Sequence, residues 1–335
     1  MREGAFLTGK RGLDSDATQG NGEDVYLSFF GFTENPFSLV ADRRFLFMGA
    51  SHREALAELG GCRGLVVLSG EAGTGKTSLV LTLRERLHAD TAVAHVFNTT
   101  LPFDGIVEFL LEELGIAKLE QSPARRLAAL TGYLNERERA GQDTTLIIDE
   151  AQDLDVPTLE QVGMLANVDG GTAGKRLQIL LVGSPELEGR LRHPDLQRLR
   201  DSVRLHCRIR ALGADEVGGY IRNRLVAVGA PDTGLFGESA IARIAQYSGG
   251  VPRIINMLCD RCLIFAYADF KRRIDRHIAE YAIADLNDGG DASPRRFALR
   301  SSHVPGRARR ILETVAIVLV GALVGAALSL LSGRG

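Results

Sequence analysis

The pattern of apolar positions predicts strands and helices in alternation through the first two thirds of the chain. Four short, mostly apolar runs predict buried parallel strands; these are Leu65–Leu68, Ala92–Phe97, Leu146–Ile148 and Leu177–Val182. In Val203–Ile209, apolar residues alternate with arginine and histidine, which predicts a strand with one solvated face at the edge of a sheet. Apolar residues at helical spacing predict intervening helices; these are Thr77–Leu87, Ile106–Leu114 and Ala124–Ala140. The sequence therefore predicts a doubly wound α/β core with a parallel sheet.

The same pattern divides the chain into segments. The predicted strands and their helices fall within residues 25–212, whereas 213–288 shows helical patterns alone and predicts a separate small helical domain. Residues 1–24 are polar and rich in glycine, which predicts a disordered lead. Residues 289–313 are rich in aspartate, glycine, serine, proline and arginine, and predict a flexible linker.

A final apolar segment predicts a transmembrane helix. Residues 315–331 form an uninterrupted run of 17 uncharged, almost wholly apolar positions. As a helix, 314–332 spans ~28 Å, close to the ~30 Å hydrocarbon core of a bilayer. The arginines within 307–310 predict that the large N-terminal part stays in the cytoplasm, and Gly321 and Gly325 permit close helix pairing. The alternative is a buried helix of a soluble domain.

Residues 70–77 match the phosphate-binding pattern G-x-x-x-x-G-K-[ST]. Glycine lets backbone N–H groups approach phosphate oxygens with no Cβ in the way. Lys76 can neutralise the β- and γ-phosphates, and the Thr77 hydroxyl can ligate Mg²⁺. The predicted nucleotide-binding residues are Gly70, Glu71, Ala72, Gly73, Thr74, Gly75, Lys76, Thr77 and Ser78. The motif predicts a protein that binds ATP or GTP.

A pair of acids follows the third predicted strand. Leu146–Ile148 ends directly in Asp149 and Glu150, and ligands of open α/β sheets bind at the carboxyl ends of the strands. We expect Asp149 to be a Mg²⁺ partner together with Thr77, and Glu150 to act as the base that polarises the attacking water. The pair indicates hydrolysis; the alternative is a solvated acidic strand end.

Composition adds little to this picture. A chain of 335 residues can hold two domains, and its net charge of −2 gives no general tendency to bind nucleic acid. Arginine outnumbers lysine by 35 to 5, with clusters at 190–210, 222–224 and 271–276 that could contact phosphates or form solvated faces. Of the four cysteines, Cys259 and Cys262 have a metal-like spacing, but their helical context favours core packing over zinc.

Six spaced motifs resemble one family in order along the chain. They are FGFTENPF at 30–37, DRRFL at 42–46, SHREAL at 51–56, DEAQ at 149–152, LVGSPEL at 181–187 and GGVPR at 249–253. Over about residues 26–287 the chain resembles the ExeA/GspA-type AAA+ ATPases of bacterial secretion. The resemblance implies an α/β core with a helical lid, ATP and Mg²⁺ as cofactors, homo-oligomers with ATP between subunits, and a partner in secretion or export machinery at the bacterial inner membrane.

The resemblance also implies roles for further residues. Ser184, at the end of the fourth strand, occupies the position of the sensor that orients the attacking water, where the family more often has glutamine. Arg253 matches a lid arginine that touches the γ-phosphate. Arg200, or Arg198, is the candidate arginine finger, because Ser202 stands where the family usually has arginine. The segment 35–37 implies either a contact with adenine or an ordinary hydrophobic anchor.

These observations lead to one expected function and two alternatives. We expect a membrane-anchored, cytoplasm-facing AAA+ ATPase that serves a secretion, pilus or exopolysaccharide export system. Family members continue past the membrane helix into a periplasmic peptidoglycan-binding domain, whereas this sequence stops; we therefore expect any coupling across the membrane to reach a partner through 314–332. The alternatives are a DNA-associated ATPase of the transposition-helper type, less favoured because of the membrane segment, and a scaffold that binds ATP without hydrolysing it.

Overall fold

A computed structural model describes residues 24–40, 42–97, 101–116, 122–166 and 176–288. Within them, five strands form one sheet in the order β2-β3-β4-β1-β5, and every neighbouring pair is parallel. The strands are β1 (Gly64–Gly70), β2 (Ala92–Val96), β3 (Thr144–Ile148), β4 (Leu177–Gly183) and β5 (Val203–Ile209). The prediction of an α/β fold with a parallel sheet is confirmed.

Helices connect the strands and continue after the last one. Those that precede β5 in the chain are α1 (Asp24–Phe30), α2 (Ala50–Leu59), α3 (Lys76–Arg86), α4 (Phe103–Glu113), α5 (Pro123–Arg139), α6 (Val156–Ala166), α7 (Pro185–Arg190) and α8 (Gln197–Ser202). The later helices are α9 (Ala214–Ala227), α10 (Glu238–Ser248), α11 (Pro252–Ala268) and α12 (Arg276–Asn287). The three helices predicted between strands are present as α3, α4 and α5, with ends shifted by one to three residues.

The sheet is covered by helices on both faces. On one face, Val66 and Leu68 of β1 pack with Leu79 and Leu83 of α3 in a single buried cluster. The opposite face of β1 belongs to a second cluster that includes α4 and α6. Burial of each leucine side chain stabilises the folded chain by roughly 1.5–3 kcal/mol. The central strands are continuously apolar because both of their faces are buried.

Strand β5 lies at the edge of the sheet, as its alternating pattern predicts. Cys207 and Ile209 are buried against α2 and α3, whereas Arg204, His206 and Arg208 are exposed on the other face. One face of this strand is therefore solvated, in contrast to β1, whose seven residues are all buried.

The C-terminal helices share their core with the N-terminal segment of the chain. Phe37 is 2% exposed and meets Phe236 edge-on, with ring centroids 5.7 Å apart. Buried Arg224 of α9 donates from Nε to the Pro36 carbonyl at 2.6 Å, and its guanidinium lies over the Phe45 ring. Of the two expectations for the segment 35–37, these contacts favour the hydrophobic anchor.

Some predicted segments fall outside the described residues. The transmembrane helix at 314–332, the linker at 289–313 and the lead, apart from Asp24 at the start of α1, all do so. Among the helices that the structure does describe, none is both long enough and apolar enough to cross a bilayer.

Candidate functional site

The phosphate loop joins the end of β1 at Gly70 to the start of α3 at Lys76. Gly73 and Gly75 have φ angles of +77° and +97°, in the left-handed region that favours glycine. At Gly70 a Cβ would come within 2.7 Å of the Ile209 carbonyl oxygen. The loop can therefore keep this path only with glycine, and it leads into a helix N-terminus, where backbone N–H groups favour a phosphate. The cradle fits the phosphates of a nucleotide.

The Lys76 ammonium lies at the mouth of this loop. Its side chain is almost fully buried, and Nζ donates to the carbonyl oxygens of Gly70 at 2.8 Å and Glu71 at 3.2 Å. Burial lowers the pKa of Lys76, while the nearby carboxylates of Glu150 and Asp149 oppose that shift. A partly desolvated cation in this position interacts more strongly with phosphate than one in bulk water.

His52 of α2 packs against the phosphate loop and hydrogen-bonds its backbone. Its ring is 2% exposed, and Nε2 bonds the Thr74 carbonyl oxygen at 2.9 Å. A Cβ at Gly75 would sit 3.1 Å from the same nitrogen. Burial lowers the pKa of His52, so the neutral ring donates from Nε2. His52 lies within one of the motifs that carry the resemblance, but no role was predicted for it.

Thr77, just after the phosphate loop, and Asp149, just after β3, meet at the carboxyl edge of the sheet. The Thr77 hydroxyl donates to Asp149 Oδ2 at 3.1 Å, and the Glu150 N–H donates to Oδ1 at 3.0 Å. Burial raises the pKa of Asp149, whose exposure is 3%. A hydroxyl beside a carboxylate is the all-oxygen ligand set that Mg²⁺ prefers, so these two residues fit the predicted metal.

Glu150, Gln152 and Ser184 form a second set at this edge of the sheet. Glu150 has a φ of +50°, a strained value for a residue with a side chain. Gln152 donates from Nε2 to Glu150 Oε2 at 2.9 Å and accepts from the Ser184 N–H at 2.9 Å. Ser184 Oγ is buried, with no hydrogen-bond partner among the described residues. The predicted base and the predicted sensor are therefore joined through Gln152, for which no role was predicted.

Arg253 reaches the same loop from the helical region. It stands at the start of α11, and its N–H donates to the Gly73 carbonyl oxygen at 3.2 Å. A Cβ at Gly73 would lie 2.6 Å from Arg253 Cβ. Gly250, with φ +77°, is held by the Leu212 N–H, which donates to its carbonyl oxygen at 2.9 Å. The structure thus brings Arg253 together with the phosphate loop.

Arg200, unlike Arg253, lies far from the phosphate loop of its own chain. It is exposed on α8, immediately before β5, whose first residue pairs with Leu65 at the start of β1. The phosphate loop follows the other end of β1, about 17 Å along the strand. Arg200 and the neighbouring Arg198 therefore lie at the amino edge of the sheet, away from the loop of their own chain.

Cysteine-based metal binding has no support in the described part of the chain. Cys259 and Cys262 are buried, and neither is disulfide-bonded. No group of three or more histidine, cysteine or acidic side chains there is arranged to hold a metal ion.

Comparison with known proteins shows what this chain is similar to. Residues 61–191 match the model of the AAA domain. The chain is 33% identical over 276 residues to general secretion pathway protein A of Aeromonas hydrophila, a match that covers 79% of this chain and 50% of that protein. The chain thus spans about half the length of this curated relative.

Solved structures of low identity share the fold. The Aeropyrum pernix ORC1 protein, solved in complex with DNA, is 15% identical, with a TM-score of 0.57 and coverage of 85% of this chain and 76% of that one. The Aeropyrum pernix ORC2 protein in ADPNP-ADP complexes is 16% identical, with a TM-score of 0.54 and coverage of 77% and 74%. The two sequence matches confirm the predicted resemblance to the ExeA/GspA-type AAA ATPases, whereas the solved structures show the shared fold alone.

Proposed function

We propose that the chain binds ATP with Mg²⁺ and hydrolyses it to drive the assembly or regulation of a secretion, pilus or exopolysaccharide export system. The observation that carries this proposal is the junction of the phosphate loop with Asp149, Glu150 and Gln152 at one edge of the sheet. The similarity to a general secretion pathway protein supports the biological role.

Each residue has a distinct part in the proposed reaction. The loop amides and Lys76 bind the β- and γ-phosphates, and Thr77 and Asp149 would hold Mg²⁺. When bound, the ion would neutralise charge that develops on the phosphate oxygens. Glu150 accepts a proton from the attacking water, because its carboxylate is adjacent to the metal pair without belonging to it. The Ser184 hydroxyl, which has no hydrogen-bond partner among the described residues, would orient that water.

The proposed roles of Arg253 and Arg200 depend on movement of the helical region and on contact with a neighbouring subunit. Arg253 stands on the helical region and contacts the loop backbone, so the proposed lid function is to bring its guanidinium onto the γ-phosphate. Arg200 lies at the opposite edge of the sheet, so it can act only on the nucleotide of a neighbouring copy. We therefore infer a homo-oligomer with active sites between subunits.

The proposed location is the bacterial inner membrane, with the ATPase part in the cytoplasm. It rests on the apolar run at 314–332 and the preceding arginines. Fractionation of cells that express the full chain tests this: the protein should stay in the membrane pellet after a carbonate wash, and removal of 314–332 should release it.

A second candidate function is a DNA-associated ATPase. The exposed basic residues on β5, Arg204, His206 and Arg208, favour it, as does the fold shared with a DNA-bound ORC1 protein. This function requires binding to DNA that weakens steeply as salt rises. If binding is absent at 50 mM salt, the secretion role is retained.

The ATPase proposal is tested by steady-state phosphate release from the full chain in detergent, measured over a range of protein concentrations. Activity per chain should rise with concentration, since active sites are shared, and should vanish in Lys76→Ala. ATP binding with negligible turnover at every concentration would instead support a non-hydrolysing scaffold.

A further inference from the structure

His95 is a polar residue inside an apolar strand. It is the next-to-last residue of β2, between Ala94 and Val96, and its side chain is completely buried. The ring of Phe97 covers it, with centroids 3.7 Å apart. Burial of an imidazole is costly unless its nitrogens are used, and none of the proposed catalytic steps uses them.

Arg84 determines which ring nitrogen carries the proton. Its guanidinium lies 3.5 Å from His95 Nδ1, and a guanidinium can only donate. Nδ1 must therefore present its lone pair. Full burial beside a permanent cation disfavours a charged ring, so the single proton is on Nε2. That nitrogen has no hydrogen-bond partner among the described residues.

The Nε2–H group faces the predicted metal ligand. It lies 3.9 Å from Asp149 Oδ2, the oxygen that also accepts from the Thr77 hydroxyl at 3.1 Å. The other oxygen, Oδ1, accepts from the Glu150 N–H. A movement of about 1 Å brings Nε2 within hydrogen-bond distance of the carboxylate. Partners of this kind orient metal-ligating carboxylates and tune their affinity.

We propose that His95 is a positioning residue for Mg²⁺: its Nε2–H fixes the orientation of the Asp149 carboxylate beside Thr77, and Arg84 fixes the required tautomer. The proposal rests on the function proposed above, since it assumes that Asp149 and Thr77 hold Mg²⁺. It extends the site to a residue pair, His95 and Arg84, that never touches the nucleotide or the metal.

The test measures the affinity of the full chain for a fluorescent ATP analogue, in EDTA and across a Mg²⁺ titration. His95→Leu should need at least roughly tenfold more Mg²⁺ to reach half of the Mg²⁺-dependent gain in nucleotide affinity. Its affinity for the nucleotide in EDTA should stay unchanged. His95→Gln places an amide nitrogen close to Nε2 and should restore the Mg²⁺ requirement to within about threefold of the parent. Thermal melting confirms that both variants fold.

Arg84 provides a matched pair of variants. Arg84→Lys keeps a donor for Nδ1 and should behave like the parent, whereas Arg84→Met should raise the Mg²⁺ requirement. Spectra of ¹⁵N-histidine-labelled protein should show the Nε2–H tautomer at His95 in the parent. An Nδ1–H tautomer at His95 would overturn the proposal, and this measurement needs no bound nucleotide.

The outcomes distinguish a failure of the proposed role of His95 from a failure of the proposed ATPase function. If the parent responds to Mg²⁺ and His95→Leu responds identically, or if the Gln variant is as impaired as the Leu variant, the role of His95 is wrong and the ATPase function stands. If the parent itself shows no Mg²⁺ effect on nucleotide binding or hydrolysis, the proposed function fails, and the role of His95 fails with it.

Discussion

The side-chain amide of Gln152 donates to Oε2 of Glu150 across 2.9 Å. Gln152 also accepts from the Ser184 N–H, and its own side chain is buried. Gly183 leaves room for it, since a Cβ there would lie 2.8 Å from Gln152 Oε1. One amide therefore holds the proposed base at a fixed distance from the strand end that carries the proposed sensor.

This relationship predicts a loss of turnover without a loss of binding. Gln152→Ala should lower kcat by roughly 10- to 100-fold, because a misplaced base loses its alignment with the attacking water. The ATP Kd should stay within about twofold of the parent, since the hydrogen bonds described for the Gln152 side chain go to Glu150 and Ser184 and not to the phosphate loop. Steady-state kinetics and nucleotide titration measure the two quantities. A raised Kd with unchanged kcat would contradict the assigned role.

Arg200 should act on a neighbouring subunit. Arg200→Ala and Glu150→Gln should each be nearly inactive alone, because each removes one half of a shared site. Mixed in equal amounts, they should recover activity, since random pairing makes about a quarter of the interfaces complete. The measurement is phosphate release after mixing and equilibration. If the mixture stays as inactive as its components, Arg200 is not the finger, and Arg198→Ala is the next variant for the same assay.

Arg253 should strengthen the binding of ATP more than that of ADP. Arg253→Ala should weaken ATP binding roughly tenfold, the loss expected for one charge-assisted contact, and should leave ADP binding nearly unchanged. Arg222→Ala is the control, because Arg222 is an exposed arginine of the same helical region on α9. Titration of both nucleotides measures the effect. Equal losses for ATP and ADP would contradict a contact with the γ-phosphate.

His52 makes stability depend on pH. Burial lowers its pKa in the folded chain, whereas the unfolded chain takes up a proton near pH 6.5. Stability is therefore fully present above about pH 6.5 and decreases as the pH falls below it. His52→Gln keeps a donor for the Thr74 carbonyl and cannot titrate.

The variant should lose less stability on acidification than the parent. Below pH 6.5 the parent should show the steeper loss, by at most about 1.4 kcal/mol per pH unit, the limit for one proton. Chemical unfolding at pH 7.5, 6.5 and 5.5 measures it, and His95 contributes equally to both proteins. Parallel pH dependences would mean that His52 does not stay neutral in the folded chain.

The sheet was predictable because burial imposes a simple pattern on each strand. Val66 and Leu68 face one helical layer, and the solvated face of β5 appears as Arg204 and His206 in alternation with apolar residues. Helix α6 was not predicted, because Gly163 interrupts its helical pattern. In the fold this glycine lies against the Leu199 side chain, and a Cβ there would lie 2.5 Å from Leu199 Cδ1.

The site was predictable only where a single stretch of chain carries the chemistry. The phosphate loop and the adjacent pair Asp149 and Glu150 are of this kind. Bonds between distant segments leave no periodic signal, which is why Gln152 and His52 were assigned no role. His95 did leave a signal, since a histidine inside an apolar strand is unusual, but its partner Asp149 follows another strand.

The central claim is that Glu150 activates water for ATP hydrolysis at this loop. Single-turnover hydrolysis of γ-labelled ATP, with the full chain in excess, tests it most directly when the parent is compared with Glu150→Gln. We expect equal ATP affinity, complete conversion by the parent, and a rate at least ~100-fold lower in the variant. Equal rates in the two proteins, or no hydrolysis by either at a concentration where ATP is fully bound, would contradict it.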